Sequence, residues 1–381
     1  MPPTILAARP GNLDSTLREP IVDPSRNWSP VRLCHDFPMR DYKRIATEEA
    51  WATREQIKLF RKLLDDGYDD PGYKSLWGFY LNSPSERARF IVDRLQDLGP
   101  NRIAEMDASG IDIQVLMLTS PGVQVFDAAT ANALAAASND ELADAIRKYP
   151  TRYTGLAAAA PQDPKAAAKE IDRAVGKLGL KGVIMNSHTM GERLDDPKFW
   201  DIFAAAESHD VPIYLHPNSP PRDMIQPYLE KGLDGAVFGF QAETGLHMLR
   251  IIVSGAFDEF PKLKFAIGHC GEALPFWLYR IDYMHAAATR ANRHPHMRKL
   301  KRTPGEYLRE NVYVTNSGVA WEPAIMLCHQ VMGPDHTLYA MDYPYQYLPS
   351  EVTVSDNLPM SAADKKKYFQ TNAEKLFKIA T

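Results

Sequence analysis

The feature that most constrains this chain is a rhythm: eight short β-prone apolar runs, each followed by a longer segment of helical period. The runs are RIATEEAW from Arg44, DIQVLMLTS from Asp112, TGLAAAAP from Thr154, LKGVIMNSH from Leu180, PIYLHP from Pro212, LKFAIGHCGE from Leu263, NVYVTNSG from Asn311 and LYAMDYPY from Leu338. Helices are predicted over 99–108, 128–148, 164–177, 197–209, 241–257, 273–288, 321–332 and 362–379. Strand and helix in strict alternation indicate β-α units around a parallel sheet. Eight such units are the count of an α/β fold of the (β/α)8 TIM-barrel type, whereas doubly wound sheets have about five to seven strands.

A prior of roughly 150 residues per domain would divide 381 residues into two or three domains, but one barrel with insertions also occupies this length. Residues 1–42 are rich in Pro and polar side chains without an apolar period, and are expected to form an extended N-terminal arm; residues 43–381 form the barrel. Three stretches interrupt the repeat, 65–97, 218–240 and 289–307, and each follows or nearly follows the carboxyl end of a strand. Insertions on that face of a barrel shape the pocket. The first contains YDDPGYKSLWGFY, whose aromatics are expected either to wall an apolar site or to be buried in a subunit contact. The arm and this insertion together lead us to expect a homodimer or homotetramer.

Composition narrows the function. With 44 Lys+Arg against 48 Asp+Glu the net charge is −4, so no nucleic-acid partner is expected. At 45% hydrophobic and 24% charged residues, the chain is neither disordered, collagen-like nor polybasic. No run of about 18 apolar residues occurs, so no membrane-spanning helix is expected. The N-terminus lacks a basic segment followed by an apolar one, and a cytoplasmic location is expected. Cys34, Cys270 and Cys328 form no C-x-x-C and point to a reducing compartment. Absence of G-x-G-x-x-G and of a P-loop leaves no nucleotide cofactor implied.

Versatile side chains gather at one end of the strands: Glu48 and Glu49 on the first, His216 on the fifth, His269 with Glu272 on the sixth, and Asp342 on the eighth. A closed barrel brings these ends around one mouth. Two carboxylates and an imidazole form a mixed O/N set suited to one divalent ion, Zn²⁺, Mn²⁺ or Mg²⁺. Strand side chains alternate, so only one of Glu48 and Glu49 faces the lumen; placing Ala46, Glu48 and Ala50 inside favours Glu48, while the opposite phase, with Ile45, Thr47 and Glu49 inside, is stereochemically allowed as well. His294 and His296 lie in a basic insertion that reads as a solvated loop, and Cys270 and Cys328 read as packing.

The set IATEEA, YLHP, IGHCGE and MDYPY, in this order on these strands, resembles the amidohydrolase-2 family. Within it the chain is similar to the aminocarboxymuconate-semialdehyde decarboxylase-like group, and most of all to nonoxidative decarboxylases of ortho-hydroxybenzoates such as dihydroxybenzoate and resorcylate. The similarity runs from about residue 43 to the C-terminus. It implies that Glu48, His216 and Asp342 hold a divalent metal, with His269 a further ligand or an acid-base partner and Glu272 orienting that imidazole and keeping it protonated. It implies an arginine near the substrate anion at Arg280, for which an ion pair with Asp282 or Glu272 is an equal alternative, and Asn218, two residues after His216, is a second candidate substrate contact. Many relatives carry His where this chain has Ala50, which leaves the metal one imidazole short. No Lys stands where a binuclear enzyme would need one, so a single ion is expected.

The expected function is nonoxidative decarboxylation of a hydroxylated aromatic acid, a small aromatic carboxylate, with Asp342 protonating the ring carbon and His269 and Glu272 assisting. A mononuclear hydrolase of an ester, lactone or C–C bond is the alternative, and the E-E-A of the first strand stands against it because hydrolases of the wider superfamily usually show H-x-H there. A hydratase of an unsaturated keto acid and a metal-free binding relative are the remaining readings.

Overall fold

The computed structural model describes residues 40–380. The predicted arm therefore lies outside the described residues except for its last three positions. Tyr42 among these stacks on Phe369, with ring centroids 5.2 Å apart.

Nine parallel strand segments are found among the described residues: β1 Ile45–Trp51, β2 Ile113–Leu118, β3 Tyr153–Gly155, β4 Ala157–Ala158, β5 Val183–Asn186, β6 Ile213–His216, β7 Phe265–Ile267, β8 Val312–Thr315 and β9 Thr337–Leu338. They form two ladders, β1-β2-β3 and β4 through β9 in sequence order. β3 and β4 are one strand position interrupted at Leu156, whose N–H turns to Leu116 O (2.9 Å) while Ala157 N–H turns to Gly182 O (2.8 Å). Eight strand positions result, as the repeat in the sequence predicts. The circle closes where Thr47 N–H donates to Tyr339 O (3.0 Å) and Ala50 N–H to Tyr343 O (2.7 Å). This is the (β/α)8 barrel, and its core is the continuous set of buried strand and inner helix side chains.

Helices follow the predicted plan because their ends carry the expected signals. Asp127 caps Ala128–Lys148 by accepting from Thr130 N–H, and Asp163 with Pro164 at the first position opens Pro164–Gly176. The helix predicted over 362–379 is instead broken into Ala362–Lys366, a π-helical turn at Lys367–Thr371, and Asn372–Phe377. That turn leaves Tyr368 O free to accept from Tyr339 N–H (3.0 Å), so the wider turn serves the closure of the barrel.

The insertions are more regular than the repeat alone indicates. Residues 65–97 contain the helices Pro71–Asn82 and Glu86–Leu95. Trp77 of the first is fully buried, donating its indole N–H to Ser120 O (3.1 Å) and packing on Phe60 at 4.5 Å. Residues 218–240 carry only the short helix Gln226–Leu229, tied back by the Arg222–Asp69 ion pair (3.0 Å). Residues 289–307 run irregularly until a capping box of Thr303 and Glu306 starts the helix Pro304–Asn311. No helix of the described residues is long and apolar enough to cross a membrane.

Candidate metal centre

Glu48, on β1, is 2% exposed and meets residues from four other strand ends. Its Oε2 accepts from Tyr214 Oη on β6 and from Thr315 Oγ1 on β8 (3.3 Å). Its Oε1 faces His216 Nε2 at 3.4 Å and His269 Nε2 at 3.5 Å. Ligand atoms of Glu48, His269 and Asp342 all lie within 4.8 Å of one another. The barrel mouth thus gathers the strand-end residues that the sequence singles out, from β1, β6 and the segments following β7 and β9.

The backbone is bent to deliver them. His269, Cys270, Gly271 and Glu272 all have positive φ, between 50° and 72°, and Asp342 has φ 65°. Left-handed conformations at non-glycine residues are uncommon, and each costs on the order of 1 kcal/mol or more unless the surroundings impose it. Close approach explains two glycines here. A Cβ on Gly268 would stand 2.4 Å from Glu48 Oε2, and one on Gly318, itself at φ 62°, would stand 3.0 Å from Asp342 Oδ2.

Proton positions separate the two imidazoles. Pro217 O can only accept, so the 2.9 Å contact from His216 Nδ1 fixes a hydrogen there and turns the Nε2 lone pair toward Glu48. Burial lowers the His216 pKa and keeps the ring neutral, the state that ligates metal. His269 is also depressed by burial, but Glu272 beneath it, then Glu48, carry its pKa up to about 10. His269 Nδ1 contacts Glu272 Oε1 at 2.7 Å. Proximity groups His269 with Glu48 and Asp342, and His216 Nε2 faces the same Glu48 oxygen. Burial lifts the Asp342 carboxyl to about 8, with His269 drawing it down and Glu48 pushing it up.

These residues fit a divalent cation. Glu48 Oε1 is buried without a hydrogen-bond partner and points at an imidazole lone pair, two acceptors with nothing between them. A cation satisfies both, while Pro217 O, which accepts from His216 Nδ1, is the outer acceptor that commonly steadies a ligating imidazole.

Among the other candidates, Asn218 is buried, its Oδ1 accepting from Ser219 N–H (2.8 Å), and it lines a cleft with Tyr73, Trp77, Gln124, His188 and Met190. Arg280 is exposed on the helix Leu274–Arg290, between exposed Tyr279 and Tyr283. The anions beside it in sequence are taken: Glu272 by His269, and Asp282 by Gly305 N–H (2.7 Å). Besides His269, the charge of Arg87 draws the Asp342 pKa down; Arg87 donates to Tyr345 O (2.7 Å). His294 and His296 stack on each other at 5.8 Å in the exposed loop. Cys270 and Cys328 are free and buried, with Cys328 Sγ donating to Cys270 O (3.3 Å).

Residues 86–379 match the sequence profile of the amidohydrolase family. The chain belongs to the amidohydrolase family. It is 35% identical over 344 residues to a gamma-resorcylate decarboxylase of Polaromonas, an alignment covering 88% of this chain and 98% of that one. It superimposes with a TM-score of 0.88 and 56% identity on a 5-carboxyvanillate decarboxylase of Novosphingobium aromaticivorans, bound to manganese and 3-methoxy-4-hydroxy-5-nitrobenzoic acid. That alignment covers 89% of this amidohydrolase and 98% of the other chain. A dihydroxybenzoic acid decarboxylase of Polaromonas, bound to manganese and 2-nitroresorcinol, aligns with a TM-score of 0.78 and 32% identity over 88% of this chain and 97% of its own.

Proposed function

We propose that this amidohydrolase is a metal-dependent nonoxidative decarboxylase of a hydroxylated aromatic carboxylic acid of the ortho-hydroxybenzoate type, a carbon–carbon lyase. The observation that carries this reading is the unpartnered Glu48 Oε1 facing the His216 lone pair, with His269 and Asp342 gathered beside it. Glu48, His216 and Asp342 hold one divalent ion; manganese is favoured over zinc and magnesium by the manganese-bound relatives. When bound, that ion orients the ortho oxygen and carboxylate of the substrate and stabilises negative charge on the oxygen as the ring loses aromaticity.

The protein's own residues manage the proton. Asp342 delivers it to the ring carbon that bears the carboxylate; the C–C bond then breaks, CO₂ leaves, and the bonding pair returns to the ring. His269, held protonated by Glu272, balances the charge left on Asp342 and passes it a fresh proton, which His269 then regains from solvent. Arg280, on the helix face that a second copy would cover, is kept as the candidate for the substrate anion, and Arg87, whose charge draws the Asp342 pKa down, is a second candidate. The cleft lined by Tyr73, Trp77 and Asn218, two residues along the chain from His216, is assigned to the substrate ring.

Residues 43–381 act as one catalytic barrel, with 1–42 an appended arm. A second copy of the chain covers the helix face of Phe276, Trp277, Tyr279 and Tyr283, all at least 50% exposed, giving a homodimer or homotetramer. Buried free thiols at Cys270 and Cys328 favour the cytoplasm.

The test is turnover of a panel of hydroxybenzoates by manganese-loaded enzyme. Identity of 56% to the carboxyvanillate enzyme, against 35% to the resorcylate enzyme, makes a 4-hydroxy-3-methoxy-5-carboxy ring the first member. We expect CO₂ release with formation of the corresponding phenol. Hydrolysis of esters or lactones without any CO₂ release overturns the assignment.

A further inference from the structure

β1 ends in two consecutive carboxylates, and only Glu48 belongs to the cation site. Glu49 is fully buried too, and the residue that should point away from the lumen has a different set of partners. Pairing of β1 with β2 shifts register between Ala46 and Glu49, so three steps along β1 span two along β2. Beyond the shift, Glu49 faces the turn that follows β9. Its Oε1 accepts from Met341 N–H (2.9 Å) and its Oε2 from Tyr343 N–H (3.3 Å). Those two N–H groups stand on either side of Asp342, the residue held at φ 65°.

The contact is supported from behind. Gln114 Nε2 donates to Glu49 Oε2 (3.3 Å), and Arg102 Nε donates to Gln114 Oε1 (2.7 Å). Arg102 also donates from Nη1 to Ala50 O (2.9 Å) and lies 4.4 Å over the Tyr343 ring. Three N–H donors converge on the two Glu49 oxygens, which have the lone pairs to accept from all three. Without them the N–H groups of Met341 and Tyr343 would be buried and unpaired, and the left-handed turn would be held only through its carbonyls, by Ala50 N–H to Tyr343 O (2.7 Å) and Gln346 N–H to Asp342 O (2.9 Å), and through Tyr343 Oη on Glu105 (2.6 Å).

We propose that Glu49 is a positioning residue for the reaction, fixing the 341–343 turn so that the Asp342 carboxylate stays on the cation site. One strand thereby supplies a carboxylate to the ion through Glu48 and sets the position of another through Glu49. The inference rests on the reading of Asp342 as metal ligand and proton carrier.

The test compares wild type, E49Q, D342N and the E49Q/D342N double variant in Mn²⁺ titration calorimetry and in steady-state kinetics. Gln keeps the size of Glu49 but replaces one acceptor oxygen with an NH₂ that meets an N–H. We expect E49Q to weaken Mn²⁺ binding by about 10–100-fold and to lower kcat by a similar factor with KM little changed, as for other residues that orient a metal ligand. In the D342N background the same substitution should leave Mn²⁺ affinity where D342N alone puts it, because nothing remains to be positioned. E49Q that binds and turns over as wild type does, or that costs the same factor in both backgrounds, overturns the proposal and leaves Glu49 a core residue. D342N with wild-type affinity and turnover is a separate result that removes the reading of Asp342 and this inference with it. If E49Q does not fold, E49D, which keeps both oxygens on a shorter stem, is put through the same comparison with the same expected directions.

Discussion

His216 and His269 sit with ring centroids 6.3 Å apart, both buried and both facing one oxygen of Glu48, yet they hold opposite protonation states. Burial depresses each; only His269 has a carboxylate beneath it. The proposed mechanism draws on the protons of both Asp342 and His269, so activity falls as pH rises, first through the Asp342 pKa of about 8 and completely by the His269 pKa of about 10. Replacing Glu272 with Gln removes the largest influence that raises the His269 pKa, so loss should be complete at lower pH. The alkaline limb of the kcat–pH profile is expected to move down by about 1–3 pH units, and a limb that does not move would show that Glu272 does not govern the proton. At this scale much of the site was legible. Glu48, His216, His269, Glu272 and Asp342 are chemically versatile residues at strand ends. Tyr214 was also within reach, two residues before His216 and so on the same strand face, although its bond to Glu48 was not anticipated. The strand phase that favoured Glu48 assumed uninterrupted alternation, and the register shift before Glu49 breaks it; Glu48 faces the imidazoles, but simple alternation is not the reason. Arg87 had no local signal, because only the tertiary placement of an inserted helix brings its charge to Asp342.

At the scale of elements, the inserted helix Pro71–Asn82 is held as firmly as a barrel helix. Trp77 fills the space between Phe60 and the segment after β2 and also walls the cleft. Trp77→Ala should therefore cost about 3–5 kcal/mol of unfolding free energy, measured by denaturant titration, and raise KM as the wall opens. A loss under about 1 kcal/mol would mean that the insertion is only surface decoration. The start of this helix was readable, since Asp70 caps it and Pro71 occupies its first turn. The repeat hid it, because an irregular insertion and a helical one disturb the alternation of strands and helices alike. The main helices were legible because their caps are local. The last was not: its π-helical turn exists to present Tyr368 O to β9, and no local pattern encodes a partner elsewhere in the chain.

For the whole molecule, barrel closure is what converts sequence distance into chemistry. Glu49 and Tyr343 are separated by 294 positions and share a hydrogen bond. Closure was inferable from eight units in order, and the mouth as a meeting place followed from closure. What covers the exposed aromatic helix face was not legible, because apolar periodicity reports that a face is apolar and not whether the covering chain is the same molecule or a second one. The central claim concerns that mouth: one divalent ion held by Glu48, His216 and Asp342, with His269 beside it as a proton carrier. Anomalous diffraction at the manganese edge from crystals of the manganese-loaded enzyme measures it directly. The account predicts one strong peak per chain, within coordination distance of Glu48 Oε1, His216 Nε2 and an Asp342 carboxylate oxygen. A strongest peak elsewhere, or an ion that does not touch all three of these residues, would contradict it.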